Sequence, residues 1–114
     1  MSVLQISVRD AGTPQKIIIE LKGSIDTSRS VENLYNLITK SSALKMVISM
    51  SQVDYVNSAG CGELFLLNHK AKQEGKTLVF SQLSDKVRSV FEHMGGLNLL
   101  SVVANEADAL KKLG

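Results

Sequence analysis

The residues best suited to chemistry lie in one stretch, Val53-Asp54-Tyr55-Val56-Asn57-Ser58-Ala59-Gly60-Cys61-Gly62. It sets a hydroxyl, a thiol, an amide and two glycines between a buried apolar run and a long helical pattern. That is the position where α/β sheets gather their sites. Asn57 and Ser58 are both good helix N-cap residues, able to accept a bond from an otherwise orphan backbone N–H. Gly60 and Gly62 leave the first helical turn nearly bare, and each costs ~1 kcal/mol relative to alanine. Close packing against a neighbouring strand and the approach of a partner or anion explain them equally well.

Catalytic readings of these residues fail on spacing. Ser58 stands in Asn-Ser-Ala-Gly, not in a Gly-x-Ser-x-Gly nucleophile elbow. The glycines form neither a phosphate-binding loop nor a dinucleotide fingerprint. One cysteine and two separated histidines, His69 and His93, make no zinc-ligand spacing. Cys61 reads as a small buried hydrophobe. The two histidines read as residues of solvated or partly buried helix faces. The expectation is a protein that is not an enzyme and uses no cofactor and no metal.

The elements that must position this stretch follow from periodicity. Leu4, Ile6 and Val8 alternate with polar residues, and Lys16 to Lys22 alternates again, with Ile17, Ile19 and Leu21 on one face. The Asp10-to-Gln15 segment between them holds Gly12 and Pro14, so the pair reads as an antiparallel hairpin. Val31, Leu34, Tyr35 and Ile38 then take the spacing of an amphipathic helix, with Thr27 or Ser28 as its cap, Glu32 in its first turn and Lys40 at its end. Met46 to Met50 is a strand covered on both faces. A second helix is predicted from about Ala59 to Gln73, halted by Gly75, followed by a strand at Leu78-Val79-Phe80. Ser84 caps a third helix with a stripe of Val87, Val90, Phe91 and Met94, ending at Gly95-Gly96. A short strand lies within Leu97 to Val103, and Asn105 caps a last helix with Asp108 at its third position. The order β-β-α-β-α-β-α-β-α predicts a mixed, mostly parallel sheet with an N-terminal hairpin and about four packed helices, an α/β fold.

Composition sets outer bounds. The 114 residues fit one domain, 1–114, and 44% apolar content suffices for a core without metal or disulfide staples. Thirteen Lys and Arg against eleven Asp and Glu leave a net charge of +2 with no basic run, which disfavours nucleic acid as a partner. A single cysteine excludes an intrachain disulfide and fits a reducing compartment. The start, Met1-Ser2-Val3-Leu4-Gln5, has no basic region or long apolar stretch of a signal peptide, and apolar runs such as Leu64 to Leu67 are far too short to span a bilayer. No membrane partner and a cytoplasmic location are expected.

Two motifs now carry a resemblance. Gly23-Ser24-Ile25-Asp26 resembles the Gly-x-Leu/Ile-Asp segment that leads into the first helix of STAS domains, specifically the free-standing anti-sigma-factor antagonists of bacteria. Asn57-Ser58-Ala59-Gly60 resembles their Asp-Ser-Ser-Gly phosphorylation motif at the start of the second helix. Element order and length agree from end to end. The resemblance implies a binding switch. A serine kinase that also acts as the anti-sigma factor phosphorylates Ser58, the unmodified protein binds that kinase and frees a sigma factor, and a phosphatase restores phospho-Ser58. The kinase brings the ATP. Two departures stand out: Asn57 replaces the aspartate, removing a charge beside Ser58, and Ala59 replaces the second serine, leaving one acceptor.

At ~100° per residue Ser58, Gly62, Leu66 and His69 share one sector of the second helix, while Gly60, Leu64, Leu67 and Ala71 share another that faces the sheet. Leu66 is therefore an apolar residue away from the expected core, which fits an interface or packing under a neighbouring loop. The expected partner surface comprises Asp26, Asn57, Ser58, Ala59, Gly60, Gly62 and Leu66. Asp26 is equally suited to an Asx-turn or helix cap. The competing functions are a STAS scaffold or adaptor outside the sigma pathway, and a module binding a small molecule or lipid near the second helix.

Overall fold

The two alternating N-terminal runs form strands β1 (Gln5–Asp10) and β2 (Lys16–Ile25) and pair antiparallel, with Ile6 opposite Leu21 and Val8 opposite Ile19. In this computed structural model the described residues are 4–13, 15–26 and 28–114. The hairpin turn is closed by the Lys16 N–H donating to the Thr13 carbonyl at 3.2 Å. Pro14, expected in that turn, lies outside the described residues, as do Met1, Ser2 and Val3 of the N-terminal reading.

Helix α1 (Ser28–Lys40) leads to β3 (Lys45–Val56), α2 (Ser58–Gln73), β4 (Thr77–Ser81), α3 (Asp85–His93), a single 3₁₀ turn at Gly96–Asn98, β5 (Val102–Val103) and α4 (Glu106–Leu113). The five strands stand in sequence order, β1-β2-β3-β4-β5, and every pair after the hairpin is parallel. This is the α/β fold expected. Three successive crossovers between adjacent parallel strands stack α1, α2 and α3 on one face. Ile19, Leu21, Met46, Ile48, Leu78 and Phe80 of the sheet meet Leu34, Leu64 and Phe91 of those helices in the main core. On the opposite face α4 alone covers Ile18, Val47 and Val79 with Ala109 and Leu113. Both faces of β3 are thus covered, as its apolar run predicts. Arg9 of β1 holds α4 near by donating to Glu20 (2.6 Å) and Glu106 (2.6 Å), although exposed pairs of this kind contribute little stability.

Several boundaries differ from the sequence reading. Helix α1 begins at Ser28, so Ser28 is helical and Glu32 falls in the second turn. The alternative cap, Thr27, lies outside the described residues. Helix α3 ends at His93, and Met94 is exposed instead of continuing the buried stripe of Val87 and Phe91. The largest difference is β3, which runs six residues beyond Met50. Its pairing with β2 slips twice, between Glu20 and Lys22 and between Gly23 and Ser24. The second slip leaves Asp54 as an extra residue, so Val53 and Val56 both reach the core despite being three apart. Gly23 marks the same irregularity with φ of 115°, a conformation that side chains resist.

Candidate functional site

The C-terminal ends of the parallel strands bring the two sequence motifs together. Strand β2 ends at Ile25 and β3 at Val56, paired side by side, so Asp26 and Asn57 emerge as neighbours. Their backbones are tied by the Asn57 N–H donating to the Ile25 carbonyl at 3.3 Å. The Asn57 side chain then works in two directions. Its Oδ1 accepts from the Gly60 N–H at 2.8 Å, capping α2, and its Nδ2 donates to the Asp26 carbonyl at 3.1 Å. Of the two possible caps, Asn57 takes the role. Ser58 becomes the first helical residue, with an exposed side chain.

The backbone around Ser58 suits an anion. Gly60 N–H is satisfied by the cap and Cys61 N–H by the Asn57 carbonyl at 2.9 Å. The N–H groups of Ser58 and Ala59 have no helical acceptor, and no acidic residue stands in the first turn. Beside it, the Ser24 hydroxyl donates to the Asp54 carboxylate at 3.0 Å across the irregular end of β3.

The two glycines separate. A Cβ on Gly60 would lie 2.1 Å from the Ile25 carbonyl oxygen, so this glycine lets α2 press onto the end of β2. Gly60 is buried, and its expected place on the partner surface is corrected to a packing role. A Cβ on Gly62 would meet nothing within 4 Å. Ala59 is exposed, Gly62 partly so, and Leu66 is 46% exposed. Leu66 belongs to a groove of about 250 Å³ between α1 and α2, shared with Tyr35, Leu67, Glu32, Glu63 and Lys70. Asp26 is half-buried. Its capping alternative turns on residue 27 and the side chains of 28–30, outside the described set.

Chemistry at the remaining candidates is muted. Cys61 is buried, and loss of hydration pushes its thiol up to about 11, so it stays protonated at neutral pH and is a poor nucleophile. Among the described residues no three His, Cys, Asp or Glu side chains are grouped to hold a metal ion, and no helix is long and apolar enough to cross a membrane. The sequence reading passed over α3, where Ser89, Val90, His93 and Met94 share an open cavity of about 290 Å³ with Ser58. The four-residue spacing of Ser89 and His93 was the available signal, since it puts both on one helix face.

The comparisons with known proteins agree with this architecture. The family model described as "STAS domain" matches residues 7–109. An anti-sigma factor antagonist from Mycobacterium paratuberculosis superposes with a TM-score of 0.77 at 21% identity, covering 96% of this chain and 93% of that one. SpoIIAA of Bacillus in its phosphorylated form gives 0.68 at 17% identity, over 96% and 100% of the two chains. A sulfate transporter family protein from Wolinella succinogenes gives 0.70 at 18% identity, over 84% and 82%.

Proposed function

From the premise that the chain belongs to the STAS domain family, we propose that it is an anti-sigma-factor antagonist, a binding protein and not an enzyme, switched by phosphorylation of Ser58. Residues 1–114 act as one cytoplasmic domain. A serine kinase that is also the anti-sigma factor binds the surface of Asp26, Asn57, Ser58, Ala59, Gly62 and Leu66 and releases its sigma factor. That kinase passes the γ-phosphoryl group of ATP to Ser58 Oγ, with ADP and the hydroxyl proton as the other products, and a phosphatase hydrolyses the ester again.

The observation that carries this reading is Ser58 itself. It is exposed as the first residue of α2, its flank bare at Gly62, in the motif position that the resemblance gives to the phosphate acceptor. A phosphate there adds about −1.5 to −2 charges beside N–H groups that accommodate them, so the fold tolerates it while a closed interface does not. A loss of only about 2.8 kcal/mol weakens binding ~100-fold. The α1–α2 groove favours a second reading, a ligand-binding module, which a co-purified small molecule would support.

The test is intact-mass analysis after incubation with the cognate kinase and ATP, joined to binding by calorimetry. Ser58→Ala should bind the kinase constitutively and Ser58→Asp poorly, both with an unchanged fold. Wild type that gains no phosphate, together with a Ser58→Asp variant that binds normally, would refute the switch.

A further inference from the structure

The switch reading leaves open where a phosphoryl group on Ser58 goes. Helix α3 supplies the answer on one side. Ser89 and His93 are four residues apart and turn to the same face, and both line the cavity that contains Ser58. At about 290 Å³ that cavity holds a phosphoryl group with water to spare, since ~15 Å³ is enough for a single water molecule. Val90 and Met94 supply its apolar wall. Among the described residues that line it, His93 is the single side chain able to carry charge, and no carboxylate is present to repel an anion. His93 also closes α3, the helix end that favours positive charge.

We propose that in the phosphorylated protein the Ser58 phosphoryl group lies in the α2–α3 cavity, hydrogen-bonded by the Ser89 hydroxyl and the His93 imidazole. The proposal rests on Ser58 being the modified residue. It makes α3 a working part of the switch: modification adds a charge and also ties the start of α2 to the end of α3 through a charge-assisted bond. The partner then meets a surface in which Ser89 and His93 are already engaged.

The experiment uses the full chain with phosphoserine inserted at position 58 during translation by a suppressor tRNA. Its second ionisation, ordinarily near pH 6, is followed by ³¹P NMR in wild type, His93→Gln and Ser89→Ala. A hydrogen bond donated by the His93 ring N–H favours the dianion, so the wild-type midpoint should lie about half a unit below that of His93→Gln, with Ser89→Ala in between. The His93 ring signals should also move when phosphoserine replaces serine. Identical midpoints in wild type and His93→Gln, with His93 ring signals indifferent to the phosphate, would overturn the proposal. His93 is exposed, so equal melting temperatures of the unmodified His93→Gln and wild-type proteins should exclude a folding defect. The phosphate does not depend on any kinase here. A kinase that ignores Ser58 therefore counts against the switch, whereas absent coupling counts against the α3 contact.

Discussion

Helix α2 has two sides that obey different rules. Its inner side, Gly60, Cys61, Leu64, Leu67 and Ala71, is buried against the sheet and its neighbouring helices, and each residue there is set by the space available. Its outer side, Ser58, Gly62, Leu66 and His69, is exposed or partly so. Nothing in the fold demands those residue types. Gly60 and Gly62 show the difference at close range: identical side chains two positions apart, one wedged on a carbonyl and the other facing open space. An absent side chain is a packing device in the first case. In the second it leaves surface free beside the exposed Ser58.

The inner side should therefore break first. Gly60→Ala places a methyl group 2.1 Å from the Ile25 carbonyl oxygen, which is backbone and cannot swing aside. Relief requires α2 to lift from β2, disturbing the Asn57 bonds to Ile25 and Asp26 as well. Overpacking usually costs ~1–3 kcal/mol, and a backbone clash belongs at or above the top of that range. Urea unfolding should show a loss of at least about 3 kcal/mol, and a loss under 1 kcal/mol would mean that the contact relaxes cheaply.

The outer side should fail in binding and not in folding. Leu66→Glu places a charge where water already reaches, so the melting temperature should shift by no more than about 0.5 kcal/mol implies. If the partner closes over this face, the same charge becomes desolvated in the interface. Binding should then fall by ~10–100-fold, in the range of an interface hot spot. A large drop in melting temperature would make Leu66 a structural residue of the α1–α2 groove.

Gly62→Ala reverses the sign seen at Gly60. The added methyl meets no atom within 4 Å, and alanine is the better helix former by ~1 kcal/mol. Stability should rise by about 0.5–1 kcal/mol in the same urea assay. If partner affinity drops at the same time, the glycine is present for the interface. If affinity holds, the bare turn has no binding role.

Much of this division was legible in the sequence. Helical spacing sorted Gly60, Leu64, Leu67 and Ala71 from Ser58, Gly62, Leu66 and His69, because a 3.6-residue period survives local irregularity. Caps were legible for the same local reason: Ser84 and Asn105 accept from the N–H groups of Val87 and Asp108 as their types predict. The run of β3 from Ser51 to Val56 was not, because its register slips make core residues of Val53 and Val56 and erase the alternation by which a strand is recognised. Lys76 was equally opaque. A lysine after a turn reads as surface, yet this one is buried and its Nζ donates to the carbonyls of Ile38, Thr39 and Ser41 at the end of α1. The cavity joining Ser58 to α3 depends on how two helices pack, which no single helix pattern records.

Asn57 stands where the two sides of α2 meet, and its substitution should have the smallest effect on stability. Asn57→Asp restores the aspartate of the motif that this stretch resembles. An aspartate caps a helix about as well as asparagine, so the bond to the Gly60 N–H should persist. Its negative charge at the helix start contributes roughly 0.3–1 kcal/mol. Against this, a carboxylate has no N–H to give the Asp26 carbonyl, and losing that bond costs about 0.5–1.5 kcal/mol. The two terms nearly cancel, so the melting temperature should barely change. Under the proposed switch, the kinetics of Ser58 modification should respond instead. If acidic character beside the acceptor is what the kinase reads, Asn57→Asp speeds phosphorylation of Ser58. If the tether between Asn57 and Asp26 holds the acceptor in place, the same change slows it. An unchanged rate would show that the residue serves only to cap α2.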